Sequence, residues 1–187
     1  MHPRPSPVLV PAPRSYDAAW TRWGTWWLPL GPALVACHAT VMVLTILVLE
    51  PLAAMPDLTR AEIFAALEDA GWTVAGAVPF LVVWAALGVG LSVAGCAVAL
   101  RRQVAPDAAL AWQLSVLALG APAYFWGGFG MGVNLADTFM ITGGDHSAVP
   151  PVLYAVSGWA FVALVGLQVP RAVRWVKARR GRPLTAR

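Results

Sequence analysis

The sequence predicts an all-α integral membrane protein, a bundle of four transmembrane helices. Of its 187 residues, 59% are hydrophobic and 12% charged, with a mean hydropathy of +0.67, whereas about 25% of the residues in soluble domains are charged. Four segments are long and apolar enough to cross a hydrocarbon core, which takes about 20 helical residues. Backbone groups inside a bilayer must bond internally, so we expect each segment to be a helix.

The first predicted span covers residues 28–49 and contains no charged side chain. Residues 1–25 precede it, and we interpret them as a cytoplasmic tail rich in proline and arginine, followed by a tryptophan-rich interfacial helix. The apolar run is longer than the core of a signal peptide, which favours a retained anchor. We expect the helix to stop at Glu50-Pro51, because of the proline.

A short amphipathic helix is predicted in the first outer loop. Thr59 and Glu62 match a capping box, and an apolar stripe of Ile63, Phe64 and Leu67 follows. We expect this helix to lie on the outer surface of the bundle.

The second predicted span, residues 73–100, carries a strip of small side chains at spacings of three and four. Such strips let helices approach closely in lipid. We therefore predict that this strip is a packing face, against a helix of this chain, a second copy or a partner. Its members are Ala85, Gly88, Ser92 and Cys96.

The third and fourth spans are predicted at residues 108–126 and 152–169. A tight turn makes the second and third spans an antiparallel hairpin, and Pro122 should bend the third. We expect residues 127–150 to form a second outer loop, whose glycines make a pliable extension of the third span. The transmembrane domain is thus 26–169, and residues 170–187 form a basic cytoplasmic tail.

The positive charges predict the topology. With both termini inside, 12 of the 13 basic residues are cytoplasmic and Arg60 alone is outside. The excess of arginine over lysine, with abundant alanine, glycine, valine and proline, indicates a GC-rich bacterial source, so we predict the plasma (inner) membrane. Anionic lipid headgroups, not nucleic acid, are the expected partners of the basic residues, chiefly Arg101, Arg102, Arg171, Arg174 and Lys177.

Two groups of polar residues are candidate sites. His38 lies near the middle of the first span, and intramembrane polar groups raise a functional hypothesis by default. His38 could relay protons, or it could bind a metal or haem. The favoured role is a structural hydrogen bond to Ser115, Gln113 or Ser157. The candidate intramembrane site is His38, Thr45, Gln113 and Ser115. The candidate outer-loop site, for a cation or for acid and base, is Glu50, Asn134, Asp137, Asp145 and His146; a plain solvated loop is the alternative.

No motif of a hydrolase, redox protein or zinc site occurs, so we predict no catalytic residue, metal or cofactor. Cys37 and Cys96 fall at different depths and should not pair. The favoured function is a non-catalytic accessory or assembly subunit of the plasma membrane that packs against a partner membrane protein or itself. The alternative is a subunit of an oligomeric transporter or channel for small solutes or ions.

Overall fold

The protein is represented by a computed structural model, which describes residues 26–180 and the side chains of 26–170, 172 and 173. All regular secondary structure in this range is helical. Four stretches are long and apolar enough to cross a membrane, and they confirm the predicted class. They are called the first to fourth spans: Leu30–Ala54, Val74–Arg102, Pro106–Phe139 and Pro150–Pro170.

The spans alternate in direction and pack side by side. The first packs along the second, and the third along the fourth. We call the end of the bundle that carries the turn at residues 103–105 the terminal end, and the end that carries residues 55–73 and 140–149 the loop end. The larger apolar core lies toward the loop end, around Met42, Ile46, Leu81 and Tyr124.

The first span continues past the proline that was expected to end it. Helix α1 (Leu30–Leu44) leads into a π-helical turn (Thr45–Leu49) and then into α2 (Glu50–Ala54). A proline ring normally collides with the carbonyl four residues earlier. The wider π turn displaces that carbonyl, and Pro51 then stands in the first turn of α2, where its missing N–H is tolerated.

Helix α3 (Arg60–Asp69) is the predicted amphipathic helix. Both halves of the capping box form, since the Thr59 N–H donates to Glu62 over 2.7 Å and the Glu62 N–H donates to the Thr59 hydroxyl. Ile63 and Leu67 are fully buried against the large core. Gly71 follows the helix with a φ of 91°, a conformation that glycine adopts without strain.

The third span extends well beyond its predicted end at residue 126. The second span is a single helix, α4 (Val74–Arg102), and the third consists of α5 (Pro106–Ala118) and α6 (Gly120–Phe139). The break at Leu119 comes three residues before Pro122, which has no N–H to bond the carbonyl of the preceding turn. Residues 127–139, expected in a loop, continue the helix, and Ile46 and Leu81 lie against Gly127.

The fourth span, Pro150–Pro170, agrees with its prediction, but its helix continues beyond the span. Helix α7 (Pro150–Arg180) continues through Pro170 into residues expected to form a separate basic tail. One proline removes a single N–H, and a helix that is otherwise intact can continue through it. The expected cytoplasmic tail at residues 1–25 and the last residues, 181–187, lie outside the described range.

Candidate functional site

The four residues of the candidate intramembrane site do not come together. The hydroxyls of Thr45 and Ser115 donate to carbonyls of their own helices, those of Val41 and Ala111. Gln113 bonds the second span. Each of these three polar groups is therefore satisfied separately, and none of them bonds His38.

His38 does not form the hydrogen bond that was expected of it. Its ring packs onto Gly120, and a methyl group at Gly120 would collide with His38 Nε2 and lie 2.8 Å from Ser157 Oγ. Both polar atoms are buried, and neither has a hydrogen-bond partner among the described residues. Of the three predicted partners, Ser157 is thus the one near His38, since both side chains lie beside Gly120.

The small strip of the second span packs mostly within this chain. Ser92 is fully buried, its hydroxyl donates to the Gln113 side-chain carbonyl, and the Gln113 amide donates to the Ser92 carbonyl over 3.0 Å. Ala85 and Cys96 pack against the two apolar cores. Gly88 differs, since a methyl group there would meet nothing within 4 Å; it lines a cleft of about 280 Å³ that also reaches His38.

A second small strip, which the sequence reasoning missed, points the other way. Ala86, Gly90 and Ala94 are all exposed, and a methyl group on Gly90 would meet nothing within 4 Å. Because successive helical residues turn by about 100°, Gly90 lies nearly opposite the buried Ser92. We call Ala86, Gly90 and Ala94 the outward strip.

Glu50 ties the first span to the last loop. The residue is 8% exposed, and its carboxylate accepts bonds from the His146 N–H over 2.7 Å, the Ser147 N–H over 3.2 Å and the Ser147 hydroxyl. A π turn directly precedes Glu50 in the first span. All three donors are uncharged, an arrangement that suits a carboxylate, whose oxygens only accept.

A cavity of about 330 Å³ lies beside this carboxylate at the loop end, and we call it the loop-end cavity. Asp145 lines it and accepts a bond from the Tyr124 hydroxyl over 3.0 Å. The Tyr124 and Tyr154 rings meet edge to face with centroids 5.4 Å apart. Phe125 and Phe129 complete the aromatic part of the wall, with centroids 5.8 Å apart.

The loop-end cavity gathers three of the five residues of the candidate outer-loop site. Glu50, Asp145 and His146 line it, and the His146 ring lies 3.1 Å from the Thr142 carbonyl. Asn134 and Asp137 do not line it; they sit on α6 rather than in the loop where they were expected. The sequence therefore placed Glu50, Asp145 and His146 correctly along the chain, and Asn134 and Asp137 on the wrong element.

The predicted headgroup contacts are described only in part. Arg101 and Arg102 are exposed in the last turn of α4, where positive charge is favoured by the helix dipole. The side chains of Arg171, Arg174 and Lys177 lie outside the described set. Cys37 and Cys96 are both free thiols, and the described residues contain no group of three or more ligands suited to a metal ion.

The described residues offer two places for binding. One is an apolar contact face on the second span, and the other is a cavity with two carboxylates and four aromatic rings at the loop end. No known protein family, curated protein or solved structure matches this chain.

Proposed function

We propose that this protein is a non-catalytic accessory or assembly subunit of a bacterial plasma membrane, and that its second span packs against a helix of a partner membrane protein. The observation that supports this is the outward strip. Only 11% of the apolar window of the second span is buried within the chain, the lowest fraction of the four.

The chemistry of the outward strip suits a helix contact better than a lipid contact. Helices gain nothing from apolar burial as such in a bilayer, because lipid tails are equally apolar, and their attraction depends on close packing. Gly90 with alanines four residues away on either side gives a shallow groove. Leu87 and Val93, 53% and 50% exposed, form bulkier edges on its two sides.

The experiment is co-purification of the tagged full-length chain in mild detergent. We expect a stoichiometric partner with the unaltered chain, and loss of that partner with Gly90→Leu. Gly158→Leu is the matched control, because Gly158 is equally open but has bulky Tyr154 and Val162 four residues away. Retention of the partner by Gly90→Leu, or its loss from both variants alike, would contradict the proposal.

The proposed orientation places both termini in the cytoplasm. It rests on the 12 basic residues on that side against one on the other. A reporter active only in the cytoplasm should work when fused after Arg187, and one active only outside should work when inserted at Asp69. Inactivity of both would reverse the orientation.

A second candidate function is a subunit of an oligomeric transporter or channel, and the cleft beside Gly88 favours it. This cleft lies between the first three spans and reaches His38, the one histidine within a span. A homo-oligomer in the co-purification experiment would favour this function. So would a His38→Gln variant that assembles normally but no longer conducts a solute.

A further inference from the structure

We propose that the loop-end cavity binds a small organic ammonium group. The site would hold a positively charged ammonium head, primary or methylated up to the quaternary ion, against Asp145 and the aromatic wall. This proposal is independent of the accessory function, since the outward strip lies on another helix.

The first argument is charge. Glu50 and Asp145 line the same cavity, and the partners described for them are two backbone N–H groups and two hydroxyls, none of them charged. Three arginine side chains are described in this chain. Arg60 lies over the Phe64 ring, and Arg101 and Arg102 are at the terminal end. Glu50 is buried, and Asp145 is on the exposed side of the same cavity. A buried carboxylate is costly without a countercharge, so this cavity, with a second carboxylate beside the first, attracts a cation.

The second argument is the shape of the wall. Tyr154, Phe125 and Phe129 present ring surface to the cavity and are 36%, 48% and 54% exposed, while Tyr124 is nearly buried behind Asp145. Ring faces attract cations, and several rings set at angles make the cages that hold alkylammonium groups. The tyrosine pair is inclined at 86° and forms one corner of such a cage.

The third argument separates an organic cation from a metal ion. A metal prefers several oxygen or nitrogen ligands at short distance, and the described residues hold no group of three that could supply them. A volume of about 330 Å³ is also far larger than a bare ion needs, and it lies within the range of small-molecule sites. The bound group could belong to a free amine or to the amine headgroup of a lipid, because the cavity lies at the end of the spans.

The test is thermal unfolding of the detergent-solubilised full-length chain, titrated with tetramethylammonium chloride against sodium chloride at equal ionic strength. We expect saturable stabilisation by the ammonium salt alone. Asp145→Asn should weaken the apparent affinity about tenfold or more, since an amide oxygen still accepts the Tyr124 bond but carries no charge. Phe129→Leu, at an exposed position that tolerates the change, should weaken it too.

Asp137→Asn is the matched control, because Asp137 is exposed on α6 and does not line the cavity; it should bind like the unaltered chain. Equal stabilisation by sodium, or equal affinity in Asp145→Asn, would overturn the proposal. Stabilisation by magnesium chloride that exceeds that by ammonium and is lost in Asp145→Asn would overturn it in favour of a metal site.

Two further arms identify the source of the ammonium group. In nanodiscs of phosphatidylglycerol, the tetramethylammonium affinity should match that in detergent. If added phosphatidylethanolamine competes with the probe, the site serves a lipid headgroup; if it does not, the site serves a free amine. Both outcomes support ammonium binding, and loss of the affinity already in phosphatidylglycerol would contradict it.

Discussion

The two halves of this bundle bury polar groups in opposite ways. Toward the terminal end, neutral side chains bond the backbone of a neighbouring helix. The Gln113 amide donates to the Ser92 carbonyl while its side chain packs against Gly31 of the first span. Trp112 lies against Gly95 and donates its indole N–H to the Leu91 carbonyl over 3.0 Å. At the loop end, the Glu50 carboxylate gathers donors from a loop almost a hundred residues away in sequence.

The difference shows where a small membrane protein can place chemistry. An amide that both donates and accepts is satisfied within a pair of helices and leaves nothing for a ligand. A carboxylate held only by neutral donors keeps its charge uncompensated. We therefore expect the loop half, where charge, rings and a cavity meet, to be the better place to look for binding.

The largest expected effect comes from removing the carboxylate of the loop half. Glu50→Leu would leave three partly buried donors without their acceptor, at a cost of about 3 kcal/mol in the free energy of unfolding. Reversible unfolding in mixed micelles, followed by tryptophan fluorescence, measures it. Ser147→Ala removes one of the donors and should cost only about 1 kcal/mol. If the two variants were equally stable, Glu50 would not be the tie between helix and loop.

A smaller effect is expected in the terminal half. Gln113→Leu removes both bonds to Ser92 and should cost about 1 to 2 kcal/mol, the upper range for interhelical hydrogen bonds in membranes. The cost should not change with pH, because neither side chain titrates. Ser115→Ala is the control, since that hydroxyl bonds only its own helix, and it should be nearly silent. A loss no larger than that of the control would show that the Ser92 contact contributes no stability.

The sequence predicted the helices well and their partners poorly. Hydropathy and length locate each span, and the capping box locates α3, because these signals are local. The local sequence Glu50-Pro51 predicts a helix end, because the preceding π turn that accommodates the proline cannot be recognised from the sequence. Gly127 reads as a loop unless one knows that Ile46 and Leu81 pack against it.

The same limit applies to the candidate sites. The second span carries two small strips, and the sequence does not tell which one faces inward, because both have helical spacing. Ser92 turns inward owing to its bond with Gln113, a contact between residues 21 apart. Glu50, Asp145 and His146 were predicted as a site, yet Tyr124 and Tyr154 were missed, since nothing local marks a tyrosine in a helix as part of a cavity wall.

The smallest effect is expected for the capping box of α3, at the loop end. It tests a second carboxylate of that half, whose contribution should depend on pH, unlike that of Gln113. The Thr59 N–H and hydroxyl donate to Glu62 and hold the pKa of that carboxyl below its usual value. Because the pKa of Glu62 is lower in the folded protein, the capping box stabilises α3 fully above the usual pKa of glutamate. This stabilisation is lost as the pH falls through the pKa that Glu62 has in the folded protein.

Hydrogen exchange of the Ile63 and Leu67 amides, expressed as protection factors, should therefore decrease on acidification below about pH 4.5. Thr59→Ala should lower the same protection at neutral pH, equivalent to about 1 kcal/mol of local stability. In Glu62→Gln the protection should no longer depend on pH across this range, because the amide does not titrate. Protection that fell equally in Glu62→Gln would assign the acid sensitivity to another carboxylate of the loop end.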